Sequence, residues 1–151
     1  MMQSVRSARL EDIEYLVPHL RAADLAEVAA ASALPPANSL AIAFRGSYTA
    51  FTTLSATTLL PTGMGGVVGA PERPGLVWFL GTNEVTEQSV YHLKMSRRVV
   101  DALAYGRPEL HAISDNRNTV HHRWLKWVGF IPTDVLVADG FTHFIRNNEH
   151  V

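Results

Sequence analysis

Asn118-Thr119-Val120-His121-His122-Arg123-Trp124-Leu125-Lys126-Trp127-Val128-Gly129-Phe130 is the stretch on which the reading of this chain turns. It predicts one helix from Asn118 to Val128, stopped at Gly129, because glycine takes the left-handed conformation wanted just past a helix end. Upstream, His111-Ala112-Ile113-Ser114 reads as a short strand, and Gly106-Arg107-Pro108 ends the helical pattern before it. Downstream, Ile131 to Ala138 and Phe141 to Ile145 read as a hairpin turned at Asp139-Gly140.

Working towards the N-terminus, Gln88 to Tyr105 predicts a long helix with Val90, Leu93, Val100, Leu103 and Ala104 on one side. Tyr48 to Thr82 is rich in Thr, Val, Phe, Leu and Gly and predicts strands at Ala50 to Leu54, within Thr58 to Val68, and at Leu76 to Gly81. Gly63, Gly65, Gly66 and Gly69 blur the limits of the middle one. Val5 to Ala8 is a strand candidate. Ile13, Leu16, Val17 and Leu20 follow Glu11-Asp12 at helical spacing, with a break expected at Pro18. Further helices are expected at Asp24 to Ala31 and, after Pro35-Pro36, at Ala37 to Arg45, the last closed by a left-handed Gly46. This order predicts a three-layer α/β domain over residues 1–151: a central mixed, twisted sheet of six or seven strands with four or five helices on both faces.

Composition narrows the chemistry. The 151 residues are 47% hydrophobic and 18% charged with a formal net charge of −1, which suits one well-buried core and gives no global pull toward nucleic acid or an anionic membrane. Neither is expected as a partner. The absence of cysteine removes disulfides, thiol nucleophiles and cysteine-ligated zinc. His121 and His122 point about 100° apart on a helix, and the position four after His121 is Leu125, so no metal is expected; the histidines read as surface residues. Met1 to Arg6 hold no apolar signal core, and no apolar run approaches the roughly 20 residues that span a bilayer, so the chain is expected to stay inside a cell or be packaged there.

Asn118, Gly129 and Phe130 keep their places in the pattern Asn-x-x-Ala-x-x-Leu-Tyr-x-x-x-Gly-Phe, and on these residues and the element order the chain resembles the GNAT N-acetyltransferases. Arg21-Ala22-Ala23-Asp24 with Glu27, Trp78-Phe79-Leu80-Gly81-Thr82, Ser96-Arg97-Arg98, Asp115-Asn116-Arg117-Asn118 and Arg123 to Phe130 are similar to a smaller group, the GNAT-like proteins of short-tailed bacteriophages, which include an internal virion protein. That likeness implies a structural or assembly protein located in the virion and assembled in the host cytoplasm. Its partners would be other virion proteins and further copies of itself.

The GNAT likeness also implies acetyl-CoA, held by a glycine-bearing loop whose backbone N–H groups approach the diphosphate. The corresponding stretch here, Gly81 to Ser89, has glycine only at Gly81 and places Glu84 and Glu87 where an anion would dock. If the cofactor binds, Thr82, Asn83, Ser89 and Asn118 are the expected contacts. The tyrosine that protonates the departing thiolate falls at Leu125, which has no proton to give, leaving Tyr48, Tyr91 and Tyr105 as the nearby alternatives. Glu84, or Asp115 through water, would serve as general base. Two losses at one site argue against acetyl transfer, so no cofactor is expected and acetyl-CoA belongs to the alternative reading, an N-acetyltransferase with an atypical loop.

Lys94, Arg97 and Arg98 make the long helix basic, and Arg117, Arg123 and Lys126 do the same for the next. Trp124 and Trp127 share a side of that helix, one expected in the core and the other at a contact surface. Arg97, Arg98, Arg123, Trp124, Lys126 and Trp127 are therefore the candidates for protein contact.

Overall fold

The computed structural model describes residues 4–87 and 89–148. Its elements are β1 (Ser4–Ser7), α1 (Leu10–Leu16), a 3-10 turn (Val17–His19), α2 (Ala22–Ala31), α3 (Pro36–Gly46), β2 (Thr49–Leu54), β3 (Pro61–Val68), β4 (Gly75–Gly81), α4 (Asn83–Glu87), α5 (Ser89–Ala104), β5 (Glu109–Asp115), α6 (Thr119–Trp127), β6 (Ile131–Pro132) and β7 (Phe141–Asn147). The strands form a single sheet in the order β1-β2-β3-β4-β5-β7-β6. Every pairing is antiparallel except β4 with β5.

Local chemistry explains most of these limits. Asp12 accepts the Arg9 N–H at 2.9 Å and so caps the start of α1, while Arg6 and Thr52 anchor the same carboxylate to the sheet. Pro18 cannot donate, and the chain tightens there into the 3-10 turn. Glycine belongs in β3 because aromatic rings lie on it: a Cβ at Gly63 would meet Phe79 Cζ at 2.5 Å, and one at Gly65 would meet Phe51 Cζ at 2.9 Å. Those rings stack with centroids 6.1 Å apart.

Alternation along β4 builds a core on each face of the sheet. Val77 and Phe79 point into a cluster with Val100, Leu103, Leu110, Leu125, Val128, Phe130 and Phe144 under α5 and α6. Leu80, with Met64, joins Ile13, Leu16, Leu20 and Leu40 under α1 and α3.

Three expectations need correction. Gly46 ends α3 without a left-handed conformation; instead Ser47 closes the helix, its hydroxyl donating to the Ala43 carbonyl at 2.7 Å. The expected strand from Ile131 to Ala138 pairs only over Ile131 and Pro132, since the Thr133 hydroxyl accepts the Val135 N–H at 3.2 Å and turns the chain off the sheet. The additional helix α4 occupies the segment read as a loop after β4. Gly129 and Gly140 do take left-handed φ values, 102° and 83°.

The one parallel pairing positions the site. β4 and β5 meet only at Gly75 with Leu110 and Leu76 with His111, yet β4 runs on to Gly81 and β5 to Asp115. The sheet therefore opens toward the C-terminal ends of its two central strands. In open α/β sheets, ligands bind beyond the carboxyl ends of such strands, where the chain order changes direction.

Candidate functional site at the opening between β4 and β5

Two strands that part leave backbone donors and acceptors which, once buried, must find other partners. Here helix α2 supplies them. Asp24, fully buried, accepts the Gly81 N–H at the end of β4 at 2.8 Å. Glu27, three residues on and hence on the same helix face, accepts the Asp115 N–H at 2.7 Å and the Ser114 hydroxyl at 2.8 Å at the end of β5. One helix thus ties the parted strand ends together through two carboxylates.

Further bonds tighten the arrangement. Arg21 donates to Asp24 from Nε at 3.1 Å and from its terminal nitrogen at 2.8 Å, and its own N–H donates to the Gly81 carbonyl at 3.0 Å. Asn118 caps α6 by accepting the His121 N–H and donates its Nδ2 to Asp24 at 2.9 Å. The Thr82 N–H is given to the Thr62 carbonyl at 2.9 Å.

The electrostatics are acidic at close quarters. Burial raises the Glu27 carboxyl above its ordinary range despite the two hydrogen bonds it accepts, and the negative charges of Asp24 and Asp115 push it in the same direction. Asp115 is held at about 2 by the hydrogen bonds it receives from Arg117. His121 is only 4% exposed, contrary to its reading as a surface histidine, and burial drives it down to about 4, so it is neutral at physiological pH. A cleft of about 360 Å³ lies beside this cluster on the α2–α3 side, with Glu27, Val28, Leu40, Trp78, Ile113 and His121 among its walls.

On the opposite face, α5 and α6 are joined directly. Trp124 donates to the Ser96 hydroxyl at 2.9 Å and stacks on Phe79 with centroids 5.3 Å apart, and Trp127 donates to the Leu93 carbonyl at 3.0 Å. The Arg97 guanidinium lies 3.5 Å above the Trp127 ring. Space of about 10 Å³, enough for one water, remains beneath them between Phe51, Thr53, Met95 and Val99.

Of the residues expected to act, Asp115 and Asn118 reach the opening, and each is engaged within the chain. Asp115 is spent on Arg117, and the Glu84 carboxylate is exposed and joins no hydrogen bond or ion pair among the described residues. Asn118, expected at the cofactor, is 1% exposed and committed to Asp24 and the start of α6. Thr82 is buried, and Asn83 is exposed at the start of α4. The side chains of Ser89 and Tyr91 lie outside the described residues. Tyr48 and Tyr105 are 62% and 82% exposed, away from the opening, and Leu125 is wholly buried in the core.

Acetyl-CoA, implied by the fold, needs unengaged strand amides for its amide-bearing arm and bare N–H groups for its diphosphate. At Gly81, Thr82 and Asp115 those amides are already bonded within the chain, to Asp24, the Thr62 carbonyl and Glu27, so at these three positions a coenzyme arm finds no free donor. The Arg21, Asp24 and Glu27 trio had a visible signal, three charged residues at intervals of three along one helix and the residue before it, but nothing in the sequence says which strand ends they reach. Among the described residues no three His, Asp or Glu side chains converge as metal ligands, and no helix is long and apolar enough to cross a membrane.

No family model and no curated protein matches the sequence. Solved structures do match over nearly the whole chain. A GNAT superfamily phosphinothricin acetyltransferase from Sinorhizobium meliloti, in complex with acetyl-CoA, is 15% identical, with 97% of this chain and 89% of that one covered at a TM-score of 0.70. An aminoglycoside acetyltransferase in complex with coenzyme A and kanamycin is 13% identical over 97% and 95% of the two chains at 0.69. A GNAT-family acetyltransferase from Bacillus anthracis is 11% identical over 99% and 97%, also at 0.69. At these identities the likeness is one of fold, and the fold is that of the GNAT acetyltransferases: a seven-stranded mixed sheet opened between its two central strands and covered by helices on both faces.

Proposed function

We propose that this chain uses the GNAT fold as a protein-binding module, a structural or assembly component of a phage virion, and does not transfer acetyl groups. The observation that carries the non-catalytic half is the pair of carboxylates, Asp24 and Glu27, seated on the strand amides an acyl-CoA would need. The direct α5–α6 contacts and the buried Leu125 support it. The virion half rests on the sequence likeness of Arg21 to Glu27, Ser96 to Arg98 and Asp115 to Phe130 to phage proteins.

The second reading is an acetyl-CoA-dependent N-acetyltransferase. Its support is direct in kind: the structural neighbours named above are acetyltransferases, two of them in complex with acetyl-CoA or coenzyme A, and nothing in the comparisons favours a virion role. The open cleft beside Glu27 and His121 is large enough for a small acceptor. Calorimetry with acetyl-CoA, followed by thiol-release assays on a panel of primary amines, separates the two. Absence of binding at millimolar cofactor is the result expected of the binding module; saturable binding with turnover on any amine establishes the enzyme and ends the first reading.

A further inference from the structure

We infer that the outer surface of α5 and α6 is a docking site for an acidic segment of another protein, centred on Trp127. The inference takes its partner class from the protein-binding reading above and adds the surface and its chemistry.

Exposed cations that join no ion pair among the described residues occur at Arg9, Arg45 and Arg73 in three separate segments, but they gather on this surface. Of the chain's 13 Lys and Arg residues, Arg6, Arg21, Arg117 and Arg146 each pair with an aspartate, and Arg107 is spent on the carbonyls of Gly69, Ala70 and Arg73. Lys94, Arg98, Arg123 and Lys126 are exposed and join no ion pair among the described residues. The only acid within α5 and α6 is Asp101, and Arg146 occupies it. Lys94 and Arg98 are four apart, and Arg123 and Lys126 three apart, spacings at which like charges repel. The fold thus leaves cations unneutralised on two adjoining helices of a chain whose net charge is −1.

An apolar anchor lies on the same two helices. Trp127 remains 38% exposed although its indole N–H is satisfied by the Leu93 carbonyl, and Arg97 braces the ring by stacking on it and donating to the Trp127 carbonyl. A tryptophan held rigid by a stacked arginine is the composition found where protein interfaces concentrate their binding energy. The patch is confined to one helix of 16 residues and one of 9, and a net charge of −1 adds no wider basic field along which many phosphates could be held, which favours a short acidic protein segment over a nucleic acid.

The test titrates isotope-labelled protein at low salt with a short oligo-glutamate peptide carrying a central leucine. A DNA single strand of equal formal charge and the glutamine version of the peptide run alongside. The surface predicts that the glutamate peptide binds, moves the amides of Leu93 to Asp101 and Arg123 to Val128, and changes Trp127 fluorescence, while the glutamine peptide does not. Arg98→Glu combined with Lys126→Glu, at exposed positions that leave the unfolding midpoint in place, weakens binding at least roughly tenfold. Trp127→Phe keeps the salt dependence and loses affinity. Tighter binding of DNA than of peptide, shifts outside α5 and α6, or no binding by any probe overturns the inference. Acetyl-CoA titration is independent of all three outcomes, so failure here and failure of the non-catalytic reading are told apart.

Discussion

Replacing Asp24 with alanine tests whether α2 holds the parted strands together. The substitution removes the acceptor for the Gly81 N–H and for Asn118 Nδ2, at 2.8 and 2.9 Å, in a place where Asp24 itself is 0% exposed and Asn118 is 1% exposed. Each buried donor left without a partner costs about 1–3 kcal/mol, which sets a range of about 2–6 kcal/mol before the loss of the Arg21 ion pair is added. A value near 4 kcal/mol is a large share of the roughly 5–15 kcal/mol by which domains are stable. The expected result is a fall in the urea midpoint without a change in the m-value, followed by tryptophan fluorescence, together with faster hydrogen exchange at Gly81. Asp24→Asn, which keeps one carbonyl acceptor, should fall between wild type and Asp24→Ala. A loss below about 1 kcal/mol for Asp24→Ala, with Gly81 still protected, would show that the strand ends do not depend on α2.

Glu27→Gln keeps an oxygen for Ser114 and Asp115 but removes a charge whose folded pKa is raised, so wild-type stability falls as pH rises through that raised value while the variant's does not. The variant should gain on wild type between about pH 4 and neutrality in urea midpoints, and a gap that widens the other way refutes the account. Asp12 is the opposite case. Burial alone would raise it, but bonds from Arg6, Thr52 and the Arg9 N–H hold it low, so its contribution is present above 3.8 and lost as pH falls through the folded value; Asp12→Asn should cost about 2 kcal/mol at neutral pH and flatten the acid limb of the stability curve. His143 is lowered by burial and by His111, whose Nδ1 lies 2.8 Å from its Nε2 with room for one proton between the rings. Stability should therefore drop as pH falls below 6.5, and His143→Gln should blunt that drop in the same midpoint series.

How much of this was legible in the sequence depends on the range over which each feature is decided. Gly129, Gly140, Pro18 and the apolar run of β4 act on their immediate neighbours, and the helix, turn and strand they signal are all present. A five-residue helix such as α4 is too short to show a period, and the segment after Pro132 alternates like a strand while its backbone is diverted by the Thr133 hydroxyl. The clamp was out of reach for a different reason. Asp24 meets a backbone amide 57 residues away and a side chain 94 away, contacts that exist only once the sheet has been assembled. The misreading of His121 has the same origin, since its burial follows from the packing of α6 against the sheet and α2 and not from its neighbours in the chain.

Opening a sheet between two parallel strands creates a demand for hydrogen bonds that something must meet, and in this chain the demand is met from within. For a coenzyme arm to use the Gly81 and Asp115 amides, it must displace two bonds to carboxylates, each stabilised by roughly 1.5–3 kcal/mol. That is about 3–6 kcal/mol against use of these two amides, or roughly two to four powers of ten in affinity. An acetyltransferase that used these two amides would have to move α2 away from the strand ends on each turnover and take from Asp24 and Glu27 the donors they now hold. A binding module needs no such motion. In that reading the carboxylates keep the opening rigid, and the α5–α6 surface on the opposite face of the sheet stays fixed and free to engage a partner.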